Sequence, residues 1–197
     1  MHLEISNTFS DNILSFGGYD GGFLNSVEVH HNLGDSNNTT CKIQDLPKGL
    51  HGHSGVNTRL GVVYCGGYNI DEMFFSNDCY QLNPSNDSWV QYKPLKNYRR
   101  YFTMNEINDT LIAIGGDNDV TSLEHVDLKN GKEWKQKQLG FSIYYHCSVV
   151  VDEKSILITG GVLNSKVRND SNNRPLRFLR FHFAFFLNLK SFNILMY

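Results

Sequence analysis

The chain has 197 residues, a hydrophobic fraction of 40%, an aromatic fraction of 13% and a formal net charge of −2. This length suits one globular domain or part of a larger one. Residues 1–163 carry 12 basic against 19 acidic side chains, and this acidic balance argues against nucleic-acid binding, which needs clustered basic charge.

The four cysteines, Cys41, Cys65, Cys79 and Cys147, contain no C-x-x-C pair. Cys65 and Cys147 lie in apolar, strand-like runs, where buried free thiols are common. Residues 1–10 lack the basic start and apolar stretch of a secretory signal. These features predict reduced cysteines and a cytoplasmic protein.

A Gly-Gly pair recurs along the chain at intervals of 49, 49 and 45 residues, and each pair ends a short apolar run. Such a run predicts a β-strand, and glycine permits the sharp turn with positive φ that ends it. A fixed period near 50 residues indicates a repeat array. The pairs are Gly17-Gly18, Gly66-Gly67, Gly115-Gly116 and Gly160-Gly161.

Two further strands are predicted after the middle glycine pairs. Residues 79–82 and 123–128 alternate between apolar and polar side chains, which indicates half-buried strands. A turn then leads to a strand that begins near Trp89 or Trp134, and Asn130-Gly131 in the second turn is a hairpin signal. No stretch shows helical periodicity with caps, so each unit is predicted to hold four antiparallel strands.

This order of apolar strand, Gly-Gly, tyrosine, turn and tryptophan resembles the kelch repeat, in which each unit forms one blade of a β-propeller. The second unit matches best through Gly66, Gly67, Tyr80 and Trp89, and the third has Val126 near the tyrosine position. The resemblance covers roughly residues 10–163. It implies an all-β fold, an incomplete kelch-type β-propeller of four-stranded antiparallel blades, with three blades and the start of a fourth. We expect Tyr80, Trp89 and Trp134 to fill the core between blades.

The last part of the chain departs from the repeat. We assign residues 1–167 to kelch repeats and residues 168–197 to a non-propeller tail that is disordered or out of frame. Residues 176–197 hold six phenylalanines but no glycine, acid or tryptophan. Membrane contact is the alternative for the tail, although its polar residues argue against a full span. Because an open propeller exposes apolar sheet faces, we expect the chain to be a fragment of a longer protein.

The resemblance places partner binding in the loops after each Gly-Gly pair and in the loops that enter each blade. Arg99-Arg100 is the foremost candidate, because a guanidinium binds a carboxylate in forked geometry and so favours an acidic peptide. The structural alternative is that Arg100, His53 and His146 are equivalent repeat positions that support their loops through hydrogen bonds. The full candidate set is His51, His53, Tyr68, Asn69, Arg99, Arg100, Tyr101, Tyr144, Tyr145 and His146.

The resemblance implies a non-enzymatic protein-interaction module, similar to the substrate-recognition propeller of kelch-type cullin ubiquitin-ligase adaptors. Actin binding is the first alternative, and either partner would also need regions outside this chain, such as an upstream BTB-type domain. A propeller enzyme of the sugar-oxidase or sialic-acid-isomerase type is another alternative. His51 and His53 have ligand-like spacing for copper, but no ligand set or acid–base pair is recognisable. No catalytic residue, metal or cofactor is therefore predicted. The last alternative is a truncated gene product without independent function.

Overall fold

The computed structural model describes residues 7–9, 12–30, 43–69, 73–117, 121–139, 141–164, 184–188 and 193–196. Within these residues the chain forms eighteen strands in five antiparallel sheets, and no helix. The predicted all-β class with four-stranded antiparallel sheets is confirmed. The chain divides into two compact units, residues 1–100 and residues 101–197.

The first unit contains three sheets. One sheet joins β1, β2 and β3 in that order, a second small sheet has the order β4-β7-β8, and a four-stranded sheet has the order β10-β9-β6-β5. The strands are β1 (Asn7–Phe9), β2 (Asn12–Tyr19), β3 (Phe23–His30), β4 (Leu50–His51), β5 (Ser54–Thr58), β6 (Gly61–Cys65), β7 (Tyr68–Asn69), β8 (Phe74–Phe75), β9 (Cys79–Asn83) and β10 (Ser88–Tyr92).

The second unit contains two four-stranded sheets, each with its strands in chain order. The strands are β11 (Thr103–Ile107), β12 (Thr110–Ile114), β13 (Ser122–Asp127), β14 (Lys135–Gln138), β15 (Ser142–Asp152), β16 (Ser155–Asn164), β17 (Ala184–Asn188) and β18 (Asn193–Met196).

Part of the predicted tail belongs to the last sheet. β17 pairs with β16, with Phe185 opposite Ile158, and β18 pairs with β17. The assignment of residues 168–197 to a disordered or out-of-frame tail stays a prediction. The run Ala-Phe-Phe-Leu-Asn has high strand propensity, and its pairing satisfies the backbone groups that β16 would otherwise expose as an edge. Residues 168–183, 189–192 and 197 lie outside the described residues. No described helix is long and apolar enough to cross a membrane.

Each unit has its own apolar core. In the first unit, Phe16 packs against Trp89 and Tyr64, with ring centroids 5.6 and 5.7 Å away, and Tyr80 stacks on Tyr64 at 5.4 Å. The indole nitrogen of Trp89 donates to the carbonyl of Gln44 at 2.9 Å. In the second unit, Trp134 is fully buried, and isoleucines from four strands form a common cluster, namely Ile107, Ile112, Ile114, Ile143, Ile156 and Ile158. These side chains hold the sheets from which the loops project.

Strand register defines which residues are equivalent between repeats. The residue before each later Gly-Gly pair lies opposite a residue of the preceding strand: Cys65 opposite Ser54, Ile114 opposite Thr103, and Thr159 opposite Cys147. Counting back one, two and three residues from those partners gives three sets of equivalent positions. These are His53, Phe102 and His146; Gly52, Tyr101 and Tyr145; and His51, Arg100 and Tyr144.

The same register corrects the position expected for the kelch tyrosine in the third repeat. Tyr80 lies opposite Tyr64, and the equivalent pair in the next sheet is Glu124 opposite Ala113. By this register, Glu124 stands where Val126 was expected. Glu124 is fully buried. Val126 corresponds instead to Leu82, and both are core residues.

The cysteines contradict the expectation of buried free thiols. Cys65 on β6 lies directly opposite Cys79 on β9, with Cα atoms 4.1 Å apart, and the two form a disulfide. Cys147 is free but exposed, because it lies on the outward face of β15. The pairing follows from strand register, which the spacing of cysteines along the chain does not reveal. Cys41 lies outside the described residues, and the cytoplasmic location stays a prediction.

Candidate functional site

The two loop classes that were predicted to bind a partner are joined by backbone hydrogen bonds. The second glycine of a pair donates its N–H to the segment that enters the next repeat: Gly67 to the carbonyl of Arg99, and Gly116 to the carbonyl of Ile143 on β15, each at 2.7 Å. Gly67 and Gly116 have φ values of 97° and 127°, which favour glycine. Within each unit, loops far apart in sequence are therefore held side by side.

In the first unit, a guanidinium lies against aromatic rings at this edge. The Arg100 guanidinium carbon is 4.5 Å from the ring centroid of Phe75 and 5.9 Å from that of Tyr68. Both distances are within the range of a cation–π interaction. Tyr68 and Phe75 lie on the paired strands β7 and β8, with centroids 5.7 Å apart. The short sheet β4-β7-β8 thus positions Arg100.

More rings extend this surface on both sides. Phe23 contacts Tyr68 and His51 at centroid distances of 5.7 and 5.6 Å, and Phe74 contacts Tyr98 edge-on at 5.5 Å. Phe74 is 56% exposed, so the cluster reaches solvent. We call it the aromatic–arginine surface. It consists of Tyr19, Phe23, His51, Tyr68, Phe74, Phe75, Tyr98 and Arg100.

Sequence reasoning named only three members of this surface as candidates, His51, Tyr68 and Arg100. Phe74 and Phe75 were missed, although an available signal pointed to them. Together with Met73 they form an apolar triplet directly after the acidic pair Asp71-Glu72, in the spacer that follows a Gly-Gly pair. Large apolar side chains in a surface loop suggest contact with another molecule.

Arg99 is placed differently from Arg100. Its side chain is 0% exposed, and the equivalent residues Leu50 and Ile143 are also buried. This differs from the predicted contact role, because a residue at this position faces the interior of its repeat. The backbone of Arg99 joins loops instead, since its N–H donates to the carbonyl of Ser76 at 3.2 Å. Asn69 is also buried.

His53 and His146 are buried at equivalent positions. The Nε2 atom of His53 lies 3.1 Å from the carbonyl of Phe16, and that of His146 lies 2.9 Å from the Thr103 hydroxyl. Burial lowers the pKa of each histidine to about 4, so both are neutral at pH 7. These contacts suit the loop-supporting alternative. Arg100 is not equivalent to them, which corrects that part of the expectation.

In the second unit, three tyrosines form a cluster that we call the tyrosine stack, Tyr101, Tyr144 and Tyr145. The ring centroids of Tyr101 and Tyr145 are 4.0 Å apart, and those of Tyr144 and Tyr145 are 5.4 Å apart. The N–H of Tyr145 donates to the carbonyl of Tyr101 at 3.0 Å. Tyr145 is 51% exposed. Partial burial, followed by the negative charge of Asp117, raises the pKa of Tyr144.

The backbone of the tyrosine stack is unusual. Tyr101 and Tyr145 each have a φ of 55°, in the left-handed region, where the equivalent Gly52 has a φ of 70°. A side chain in this region costs about 1–2 kcal/mol per residue. One aromatic pair contributes only about 0.5–1.5 kcal/mol beyond the area it buries. Ring packing between Tyr101 and Tyr145 therefore does not by itself offset the cost of two tyrosines at glycine-like positions.

The described residues contain no group of three or more histidine, cysteine or acidic side chains that could hold a metal ion. His51 and His53, which were weighed as copper ligands, have different surroundings. His51 packs on Tyr19 and Phe23, whereas His53 stacks on Phe16 at a centroid distance of 5.4 Å.

Comparison with known proteins gives a weak similarity. No family model matches the chain. The chain is 24% identical over 123 residues to Kelch-like protein 36 of Rattus norvegicus and of Mus musculus, and 25% identical to that of Bos taurus. Each alignment covers 61% of this chain and spans only 20% of the length of the relative. This similarity and the repeated antiparallel sheets are consistent with a kelch-type fold.

Proposed function

We propose that the chain is a non-enzymatic protein-interaction module that binds a protein or peptide through its loops. The aromatic–arginine surface is the observation that carries the proposal. Aromatic rings and arginine dominate the binding energy of protein interfaces. The rings bury a large apolar area, and the planar guanidinium of arginine offers several hydrogen-bond donors. Phe74 and Tyr98 are exposed members, and Arg100 is half-buried among the rings.

The chemistry of this surface favours an acidic partner segment. Stacking on Phe75 and Tyr68 restrains the guanidinium plane of Arg100, and a restrained guanidinium recognises a carboxylate with less loss of entropy. The rings around it would contact apolar side chains next to the acid. A peptide that combines an acidic and an apolar residue is therefore the partner class that this surface fits best.

A narrower proposal is that the module presents substrates to a cullin ubiquitin ligase, as kelch-type adaptors do. It is supported by the family resemblance and by the weak similarity to kelch-like proteins. Because the chain spans 20% of those relatives, the ligase contacts would depend on regions beyond it. Recovery of a cullin in a pull-down with the full-length protein that carries this chain and those regions would support this role, and co-sedimentation of that protein with filamentous actin would favour actin binding instead.

The test of the general proposal is a selection from a random-peptide phage library on the immobilised full chain. We expect enrichment of peptides with an acidic residue next to an apolar one. An Arg100→Gln variant should bind them about tenfold or more weakly, since a charged hydrogen bond contributes about 1.5–3 kcal/mol. The matched control is Lys93→Gln, because Lys93 also lies over a ring, that of Tyr92 at 5.0 Å, but outside the aromatic–arginine surface. Equal binding by wild type and the Arg100 variant, or no enrichment at all, would refute the proposal.

A further inference from the structure

Tyr101 and Tyr145 in the tyrosine stack have positive φ values at a position where glycine would be less strained. Gly52 occupies the equivalent position with the same sign of φ, and glycine adopts it at little steric cost. Tyr101 and Tyr145 adopt it in spite of their side chains. Strained backbone of this kind concentrates at binding sites, where surrounding contacts hold a side chain in a particular place.

The surrounding structure does hold these rings in place. The Tyr145 N–H donates to the Tyr101 carbonyl, and the Gly116 N–H donates to the carbonyl of Ile143, the residue before Tyr144. His146, the residue after Tyr145, is buried and lies within hydrogen-bond distance of Thr103. Each end of the segment is therefore anchored, while about half of the Tyr145 side chain faces solvent.

The electrostatics around the stack favour a cation. The face of an aromatic ring is electronegative and attracts ammonium and guanidinium groups. Asp117 follows Gly116, whose N–H donates to the carbonyl of Ile143, the residue before Tyr144, and the negative charge of Asp117 helps to raise the pKa of Tyr144. Residues 101–163 carry nine acidic and five basic side chains, so the sequence around the stack is acidic overall. Among side chains, arginine fits best, because its planar guanidinium stacks on a ring and pairs with a carboxylate at its edge.

We propose that the tyrosine stack, with Asp117, is a second recognition site that binds an arginine side chain of a partner polypeptide on the exposed face of Tyr145. The inference rests on the proposed protein-binding function, and the charge preference of this site is opposite to that of the aromatic–arginine surface.

The test uses the full chain labelled with ¹⁵N and two blocked peptides, tri-arginine and tri-citrulline, which have nearly the same shape but differ in charge. Tri-arginine should cause saturable shifts of the amide signals of Tyr145 and Gly116, and tri-citrulline should not. Tyr145→Phe keeps the ring and should bind within about twofold of wild type. Tyr145→Gly keeps the backbone conformation and should bind about tenfold more weakly. Asp117→Asn should weaken binding severalfold, and added salt should reduce that difference.

Two outcomes would overturn the proposal: shifts that spread over the acidic surface without saturating, and equal affinity of wild type and Tyr145→Gly for tri-arginine. Circular dichroism checks that the glycine variant folds, and Tyr145→Asn replaces it if it does not, because asparagine also tolerates positive φ. Arg100→Gln should leave tri-arginine binding unchanged. If the wild-type chain binds tri-arginine but no acidic peptide, the function proposed above is refuted. If it binds acidic peptides but not tri-arginine, only this second site is refuted.

Discussion

Acidification should destabilise this protein between pH 6.5 and about 4, because two buried histidines resist protonation in the folded state. Burial lowers the pKa of His53 and of His146 from 6.5 to about 4. In the unfolded chain both histidines bind protons near pH 6.5. Between these values the unfolded state holds more protons than the folded state, so stability falls as the pH falls. Above pH 6.5 both states hold neutral histidines, and the effect vanishes.

The size of the effect follows from the width of this interval. One pKa unit corresponds to about 1.4 kcal/mol, so each histidine is expected to remove about 3 kcal/mol of stability between pH 6.5 and 4. His51 and His125 are only partly buried, and their pKa values are lowered by smaller amounts, so they act in the same direction but contribute less. Partial burial followed by the lysines at 135 and 137 lowers the pKa of His125, and the pKa of Asp127 lies below 3.8. Measurements from pH 7 to 4.5 therefore report chiefly on His53 and His146.

The assay is urea denaturation followed by tryptophan fluorescence, since Trp89 and Trp134 lie in the cores of the two units. The variants are His53→Phe and His146→Phe, because Phe102 occupies the equivalent position in the third repeat. Each variant loses one hydrogen bond, which costs about 1 kcal/mol at pH 7, but should remove about half of the pH dependence. His30→Gln, at an exposed position, should keep the wild-type slope. If both phenylalanine variants lose as much stability on acidification as the wild type does, the reasoning is refuted.

Three further predictions concern stability. Tyr64→Phe should leave the free energy of unfolding in urea denaturation unchanged or raise it by up to about 1 kcal/mol. The reason is that the buried hydroxyl has no hydrogen-bond partner among the described residues. A clear fall in the free energy of unfolding would contradict this. Gly115→Ala should destabilise the protein by at least about 1 kcal/mol more than Gly160→Ala in thermal denaturation. Both glycines have φ near 68°, but only at Gly115 would an added Cβ meet a backbone carbonyl. Equal losses of stability would count against this prediction. Non-reducing peptide mapping should find Cys65 linked to Cys79, and reduction should cost about 3 kcal/mol for a loop of 14 residues; alkylation of both thiols before reduction would argue against the bond.

Much of the fold could be predicted because its signals are local. A glycine pair at the end of an apolar run specifies a strand that ends in positive φ, and Gly66-Gly67 and Gly115-Gly116 behave in this way. Alternation along residues 79–82 and 123–128 likewise predicted β9 and β13, because side chains of a strand point to opposite faces in turn. These features depend only on neighbours along the chain.

The candidate sites could not be predicted in the same way, because they depend on contacts between residues that are distant along the chain. Arg99 and Arg100 are adjacent and chemically identical, yet Arg99 is fully buried and Arg100 is half-buried against the rings of Phe75 and Tyr68. The difference arises because consecutive residues at the entrance to a repeat point to opposite sides of the loop. The partner of Cys65 and the ring neighbours of Tyr145 were likewise hidden, since they come from segments 14 and 44 residues away.

By itself, the sequence determined that this chain repeats a four-stranded antiparallel unit ended by paired glycines, because strand period and backbone steric limits act over a few residues. Only the tertiary structure decided which side chains of the loops meet, as Tyr101 meets Tyr145 and Arg100 meets Phe75. Such contacts are set by the pairing of strands and the packing of sheets, and these bring together residues that are distant in the chain.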